Sequence, residues 1–453
     1  MQNSTIKKVF TFVFLVRICF LNQLYGSDYS NELPSDLNLK SIFESSSTMR
    51  FINYIPTKVD TLVFTKNFGI TLSNDDYSPS YSFGLKFFEN YYIYIKNQFL
   101  PSNNINKKNL IYHNGLIEKS RNNFSYAGFI NKWLNIQMGK GNENWGAGER
   151  ISLALSDYSN TYDYFLLASN YGRINVRYMH GFLEKTEDKY NRYITARGIE
   201  WNNRNSLRIG LSETVIYSGL NRSFDFSYIN PISSHIELEL NNRLNILGSS
   251  NSNAVWQFHY DYKINSELKF SLNYLIDEFV LDPNIEKKKE HGIAFSSQIS
   301  YLLNIFNDKS IKLCASIVEI GTPTFRHGIG TNNFVQRGRP LGSQIGSDVQ
   351  DKKIEIELYQ EGNNELLFLS FGRIKVGQES INNRVFDSYD NYIKGKFPSG
   401  DVIQAYYFDS NLKLKFKNKY TFTASFYLQN NLNQGVAKNK ILINNTIGII
   451  YEI

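Results

Sequence analysis

The chain is predicted to be all-β, a transmembrane antiparallel up-and-down β-barrel of about eighteen strands with long extracellular loops. Three observations carry this expectation. Apolar and polar residues alternate with a period of two from Val59 to the last residue. The alternating runs are roughly 8 to 13 residues long, which suits a tilted membrane-spanning strand better than the usual ~5 to 6 of a soluble sheet. The connections between runs are by turns tight and long, the order in which a barrel places short turns at one end and loops at the other.

A length of 453 residues allows two or three ordinary domains or one large closed sheet. Phe, Tyr and Trp make up 15% of the chain and Pro only 9 residues, which favours the sheet. Mean hydropathy is −0.36, so a bundle of apolar helices of ~20 residues each is excluded. A barrel is compatible with that value, because only every second residue of each strand meets lipid.

Residues 1–26 are predicted to be a secretory signal peptide. Lys7 and Lys8 precede an apolar run that begins at Val9, and Gly26 offers a small residue for cleavage. A signal anchor or a soluble N-terminal helix are the alternatives. Cys19 follows Ile18 rather than a small residue, which argues against a lipoprotein. Removal of this segment takes Cys19 with it and leaves Cys314 alone, so no internal disulfide can form. A large exported chain without disulfides needs another source of order, and a closed hydrogen-bonded sheet supplies one. Removal also lowers the net charge from +7 to +4, too weak a bias to imply nucleic acid. Residues 27–58 are polar and serine-rich, with a faint helical spacing at Leu39, Ile42 and Phe43. They are expected as a periplasmic leader, either a short helix or unstructured.

The barrel is expected over residues 59–453. Its clearest strands place Leu268, Phe270, Leu272 and Tyr274 opposite Lys269, Ser271 and Asn273, and Leu412, Leu414 and Phe416 opposite Lys413, Lys415 and Lys417. A third sets Tyr420, Phe422, Ala424, Phe426 and Leu428 against Thr421, Thr423 and Ser425. A soluble sandwich would explain any one of these; the loop order separates the two folds. Tight turns are expected near Asn90, Lys132, Tyr171, Asn203, Asn265, Asn307, Gly362 and Asn418. Long connections are expected at about 74–79, 101–121, 141–161, 184–190, 214–252, 277–289, 321–351, 376–400 and 430–440. With the first strand rising from the periplasm, every long connection follows an odd strand and lands outside. Ile447, Ile449, Tyr451 and Ile453 resemble the C-terminal assembly signal of outer-membrane barrels.

Residues 142–157, NENWGAGERISLALSD, interrupt the alternation. Gly146 and Gly148 permit conformations closed to other residues and predict a shaped loop. The run 133–157 resembles the capsule assembly proteins of the Wzi type, whose strand-loop segment carries a Trp-Gly-x-Gly element. Two further segments share the resemblance: 213–231, ending in Tyr228, Asn230 and Pro231, and 334–348, FVQRGRPLGSQIGSD. It implies an outer-membrane protein that binds capsular or other surface polysaccharide and helps fix it to the cell without cutting it.

Sugars are held by aromatic faces and planar polar groups, and acidic sugars by guanidinium groups. The candidate contacts are Trp145, Glu149, Arg150, Tyr158, Tyr217, Tyr228, Arg326, Phe334, Arg337 and Arg339, with Tyr162 beside them. Gly146, Gly148, Pro231, Gly338, Pro340 and Gly342 are expected to shape loops. The bland alternatives are that these aromatics mark the membrane interface and that the arginines pair with internal acids such as Glu149 or Asp348.

Catalysis is not expected. His113, His180, His235, His259, His291 and His327 show no metal spacing, and no G-x-S-x-G or phosphate-cradling loop occurs. His180 and His259 fall within strands, where a lumen-facing structural role is expected; only a triad assembled across strands escapes this search. No cofactor or metal is expected, and the chain is expected to act as a monomer in outer-membrane lipid. A periplasmic or export-machinery contact is left open. The alternative function is a porin or solute channel, if the lumen is open.

Overall fold

The computed structural model describes residues 49–50, 63–73, 76–87, 90–98, 124–131, 133–240, 252–277, 291–306, 309–360, 365–388, 395–416, 419–432 and 440–452. The expected signal peptide and nearly all of the expected leader lie outside these residues, as does Ile453.

Eighteen strands follow one another around a closed ring. They are β1 (Val63–Ser73), β2 (Asp76–Phe87), β3 (Tyr91–Gln98), β4 (Phe124–Ile130), β5 (Leu134–Gly141), β6 (Tyr162–Asn170), β7 (Ile174–Lys185), β8 (Tyr190–Asn202) and β9 (Leu207–Leu220). The second half comprises β10 (Ser252–Lys263), β11 (Leu268–Ile276), β12 (Ile293–Phe306), β13 (Lys309–Ile320), β14 (Val349–Gln360), β15 (Glu365–Val376), β16 (Ile403–Phe416), β17 (Tyr420–Leu432) and β18 (Lys440–Glu452). Each pairs antiparallel with its neighbour, and β18 returns to β1 from Asn67↔Glu452 to Ser73↔Thr446. That seam removes the two exposed edges that an open sheet would leave.

The alternation seen in the sequence sorts the wall into two faces. On β11, Lys269, Ser271 and Asn273 are buried inside, while Tyr274 is exposed outside. On β18, Asn444 and Thr446 are buried, while Ile441, Ile443, Ile447 and Ile449 are exposed. Phe68, Ile70 and Leu72 continue this outer apolar band across the seam, and Leu211, Ile199 and Trp201 carry it on the far side. A polar interior within an apolar exterior is the arrangement a bilayer selects. Among the described residues, no helix is long and apolar enough to cross a membrane, and the α-helix found there, α1 (His235–Leu240), is a single short element.

Most expected connections stand where the alternation put them, with three differences. Where a long connection was expected at 74–79, β1 and β2 are instead paired as far as Ser73↔Asp76. Pro79 sits inside β2, opposite Ile70 of β1. The connection expected at 184–190 shrinks to four residues between β7 and β8. The connection expected from Thr214 starts only after Leu220, because β9 continues through Tyr217.

Candidate functional site

The loop between β5 and β6, residues 142–161, turns back into the lumen. Wall side chains receive its backbone as a strand would. Asn273 on β11 accepts from Ala147 N at 2.7 Å and donates to Ala147 O at 2.9 Å. Gln298 on β12 does the same with Glu149, at 2.9 and 3.1 Å. Gln257 on β10 accepts from Ala154 N at 3.2 Å and donates to Trp145 O at 3.2 Å. A carboxamide is a peptide unit in miniature, so these three satisfy polar backbone that burial would otherwise strand. Gly146, at φ +137°, passes so close that a Cβ would lie 2.9 Å from Asn273 Oδ1. Met49 and Arg50, within the expected leader, pair with Trp145 and Asn144.

Trp145 is therefore core. It is 1% exposed, and its indole donates to Glu143 Oε2 at 2.9 Å. Glu143 also accepts from Tyr164 at 3.0 Å and meets Arg177 at 3.5 Å, which ties the start of the loop to β6 and β7. Around it, Ile151, Leu153, Leu155, Ile345 and wall residues of β6 to β17 form one buried apolar cluster inside the barrel.

At the loop tip, Gly148 and Arg150 both adopt positive φ, +78° and +58°. Arg150 reaches Glu355 at 3.1 Å and also Glu357, and lies 4.4 Å over the Phe368 ring. Lys312 meets Glu149 at 2.5 Å and Glu357 at 2.9 Å, and Lys353 meets Glu355 at 2.9 Å. Three cations and three carboxylates thus share one buried network. Burial alone would weaken the Arg150 charge, but Glu355, Glu357 and Glu149 outweigh it and hold the guanidinium above its ordinary range. The alternative that the loop arginines pair with internal acids holds for Arg150, whose ion-pair partners are Glu355 and Glu357. Lys353, Glu355 and Glu357 stand at alternate positions between Ile354 and Ile356, and that spacing was the available signal for them.

The connection between β13 and β14, residues 321–348, closes over this loop. Ser343 N donates to Leu153 O at 3.0 Å and Ser156 N to Leu341 O at 3.1 Å. Arg192 on β8 donates to the carbonyls of Thr331, Asn333 and Val335 at 2.5, 2.6 and 2.8 Å and pairs with Glu184. Arg326, 1% exposed, holds the adjoining connection through the carbonyls of Glu379, Arg384 and Asp387 at 2.6, 3.0 and 3.1 Å. Phe334 is buried against Phe325, ring centroids 5.7 Å apart. Asp348 accepts from Thr322 Oγ1 and Ser399 N, both at 2.9 Å, which ties the two ends of its own connection to the connection after β15. A pocket of about 20 Å³ lined by Arg150, Ser152, Ser156, Tyr158, Gln344 and Asp351 has room for a water but not a sugar.

Five of the candidates are displaced from a polymer-facing role by their burial: Trp145, Arg326 and Phe334 inside the barrel, and Tyr217 and Tyr228 outside its wall. Tyr217 belongs to β9, faces outward and stacks on Tyr228 at 4.4 Å. Both rings are fully buried where residues 221–240, of which Tyr228 is one, pack on Tyr217 from the outer side of the wall rather than in the lumen. His180, expected to face the lumen, also points outward: its ring nitrogens meet Tyr178 and Tyr217 hydroxyls at 3.2 and 2.7 Å, and it stacks on Phe224. His259 does face the lumen, opposite Asn273. Tyr158 is half-buried, Tyr162 and Pro340 are buried, and Pro231 is exposed.

Arg337 and Arg339 differ from the rest. They flank Gly338 at the tip of a two-residue ladder, Val335–Gln336 with Arg339–Pro340, and both are exposed. The Arg337 N–H donates to Glu184 at 3.0 Å, which fixes the turn while its guanidinium stays outside. Phe386, 43% exposed and 5.2 Å from the Arg192 guanidinium, presents a ring on the same group of connections. Among the described residues no cluster of His, Cys, Asp and Glu has the makings of a metal site.

This is the fold of outer-membrane β-barrels. No protein-family model and no curated protein matches the chain. Among solved structures it is similar to Wzi of Escherichia coli, described as an outer membrane protein involved in group 1 capsule assembly and a carbohydrate binding β-barrel. The identity is 13% and the TM-score 0.60, over 85% of this chain and 83% of that one. Two barrels of Pseudomonas aeruginosa also align. The outer membrane protein OprD does so at 11% identity and TM-score 0.47, over 90% of this chain and 97% of that one. OccK10 (OpdN) does so at 7% and 0.47, over 87% and 98%.

Proposed function

We propose that this protein is an outer-membrane, Wzi-like polysaccharide-binding barrel that holds capsular or other surface polymer at the cell without chemical change to it. Its long connections face the cell surface in this reading, and the polymer meets Arg337, Arg339 and the Phe386 ring at the rim. The observation that carries the proposal is that two interlocked connections pack inside the barrel against its wall, a construction that suits a rigid binding platform rather than a solute path. Exposed guanidinium groups on a fixed turn suit carboxylate-bearing sugars, which they can engage through paired hydrogen bonds. A ring beside them suits the apolar face of a sugar.

Deletion of the protein is expected to leave polymer synthesis intact and to shed polymer into the medium. Unchanged cell-bound polymer in the deletion strain would refute the role. In planar bilayers the purified barrel is expected to be electrically silent; large stable openings would favour the porin alternative instead.

A further inference from the structure

The outer wall carries a feature that lumen and rim do not explain. Above Leu211 on β9, the outward positions Glu213, Val215 and Tyr217 are buried, although this face of a barrel strand ordinarily meets lipid. Residues 221–240 lie against them from outside. His235 N donates to Glu213 Oε1 at 2.9 Å, Trp256 Nε1 donates to the same oxygen at 2.9 Å, and Arg197 pairs with Glu213 at 3.2 Å. Tyr178 donates to Tyr228 O at 3.1 Å. Tyr193, Val215, Tyr217, Tyr228, Leu238 and Ala254 form an apolar cluster of their own on this side.

The segment is also rigid. Arg222 bonds Asp225 at 3.0 Å and Ser218 O at 3.1 Å, and lies 4.6 Å over the Tyr217 ring. Asn191 and Tyr193 donate to Arg222 O at 2.7 and 3.0 Å. Asp225 caps the turn Phe226–Tyr228 by accepting from Ser227 N. This framework projects apolar side chains away from the wall. Phe224 stacks on outward-facing His180 at 4.2 Å, and Phe226 lies edge-on beyond it at 6.0 Å. Phe226 is 75% exposed and Ile232 89%.

A held backbone that presents large apolar groups needs an apolar partner. Just below the segment, the wall continues as the exposed lipid-facing band of Leu211, Ile199 and Phe258. We propose that residues 221–240 are a lipid-immersed anchor, in which Phe224, Phe226 and Ile232 enter the acyl chains of the bilayer around the barrel at its long-loop end. The anchor shields the outward Arg197–Glu213 pair from those chains, so the membrane boundary on this side runs across the draped segment. This inference needs the membrane barrel but not the polysaccharide role, so either can fail without the other.

The full chain reconstituted in phosphatidylcholine vesicles tests it. Nitroxide labels at Phe226→Cys and Ile232→Cys are compared with Leu211→Cys in the wall and Arg339→Cys at the rim; Cys314 is buried, and the unsubstituted protein gives the background. Collisions with oxygen should exceed those with a water-soluble nickel chelate several-fold at 226 and 232, as at 211, and the ratio should reverse at 339. Chelate-dominated values at 226 and 232, in protein whose label at 211 reports a folded barrel, would overturn the proposal. So would spin–spin broadening at 226 that disappears on dilution with unlabelled protein, which would mean that a second copy covers the surface.

Discussion

Gly342 lies so close to Leu153 that a Cβ on the glycine would stand 1.7 Å from the leucine carbonyl oxygen. At the next residue, Ser343 takes that same oxygen as its acceptor. The two connections packed inside the barrel therefore meet backbone to backbone, and a side chain at 342 would have to pry them apart.

Gly342→Ala should cost about 1–3 kcal/mol through overpacking and should loosen the lumen while the wall persists. The expected result is normal heat-modifiable mobility with faster proteolysis between residues 142 and 161 and new conductance in planar bilayers. A silent, protease-resistant variant would show that the contact does not hold the lumen shut.

Arg150→Gln removes one cation from the buried network while Glu355 and Glu357 remain. Gln at position 150 would keep the φ of +58° that Arg has there, so the backbone strain cancels in the comparison. Leaving buried carboxylates short of a partner should cost about 3–5 kcal/mol, read as a lower urea midpoint in detergent. A change below about 0.5 kcal/mol would mean that the two lysines suffice.

Trp145→Ala should behave as a core truncation, with a loss of about 3–5 kcal/mol and the lumen loop released. Polymer binding should fall only as far as the folded fraction does. Selective loss of binding in a barrel of full stability would return Trp145 to the polymer site.

Arg337→Asn with Arg339→Ala should leave stability within about 0.5 kcal/mol. Asn is chosen at 337 because it tolerates the φ of +47° found there. Co-sedimentation with the organism's own surface polymer should weaken about tenfold or more, as expected for lost charge-assisted hydrogen bonds, and the wild-type interaction should weaken with salt. Unaltered co-sedimentation would remove this turn from the binding surface.

The wall was legible because its pattern is local. Lys269, Ser271 and Asn273 against Leu268, Phe270 and Leu272 fix a strand and its two faces within seven residues. Tyr217 was placed in a loop for a physical reason: the run from Thr214 through Tyr217 does not alternate, since the lumen core buries one side and the draped segment buries the other. Pro79 misled in the opposite direction, marking a turn at a position that lies within β2.

The candidate site was less legible because its contacts are distant in sequence. Nothing near Trp145 announces Asn273 or Gln257, and only the folded ring brings their carboxamides to the loop. Arg326 and Arg339 are the same residue type in the same connection. One is spent on three carbonyls and the other is exposed, a difference that composition does not record.

The seam between β1 and β18 has a consequence in time. Asn67 and Glu452 are separated by nearly the whole chain, so the ring cannot shut until its final strand has been delivered. Through that interval both terminal strands present unpaired backbone to any neighbouring copy, and contacts of such long range form slowly. The two strands that meet at this seam are therefore the last part of the wall whose backbone finds its partners.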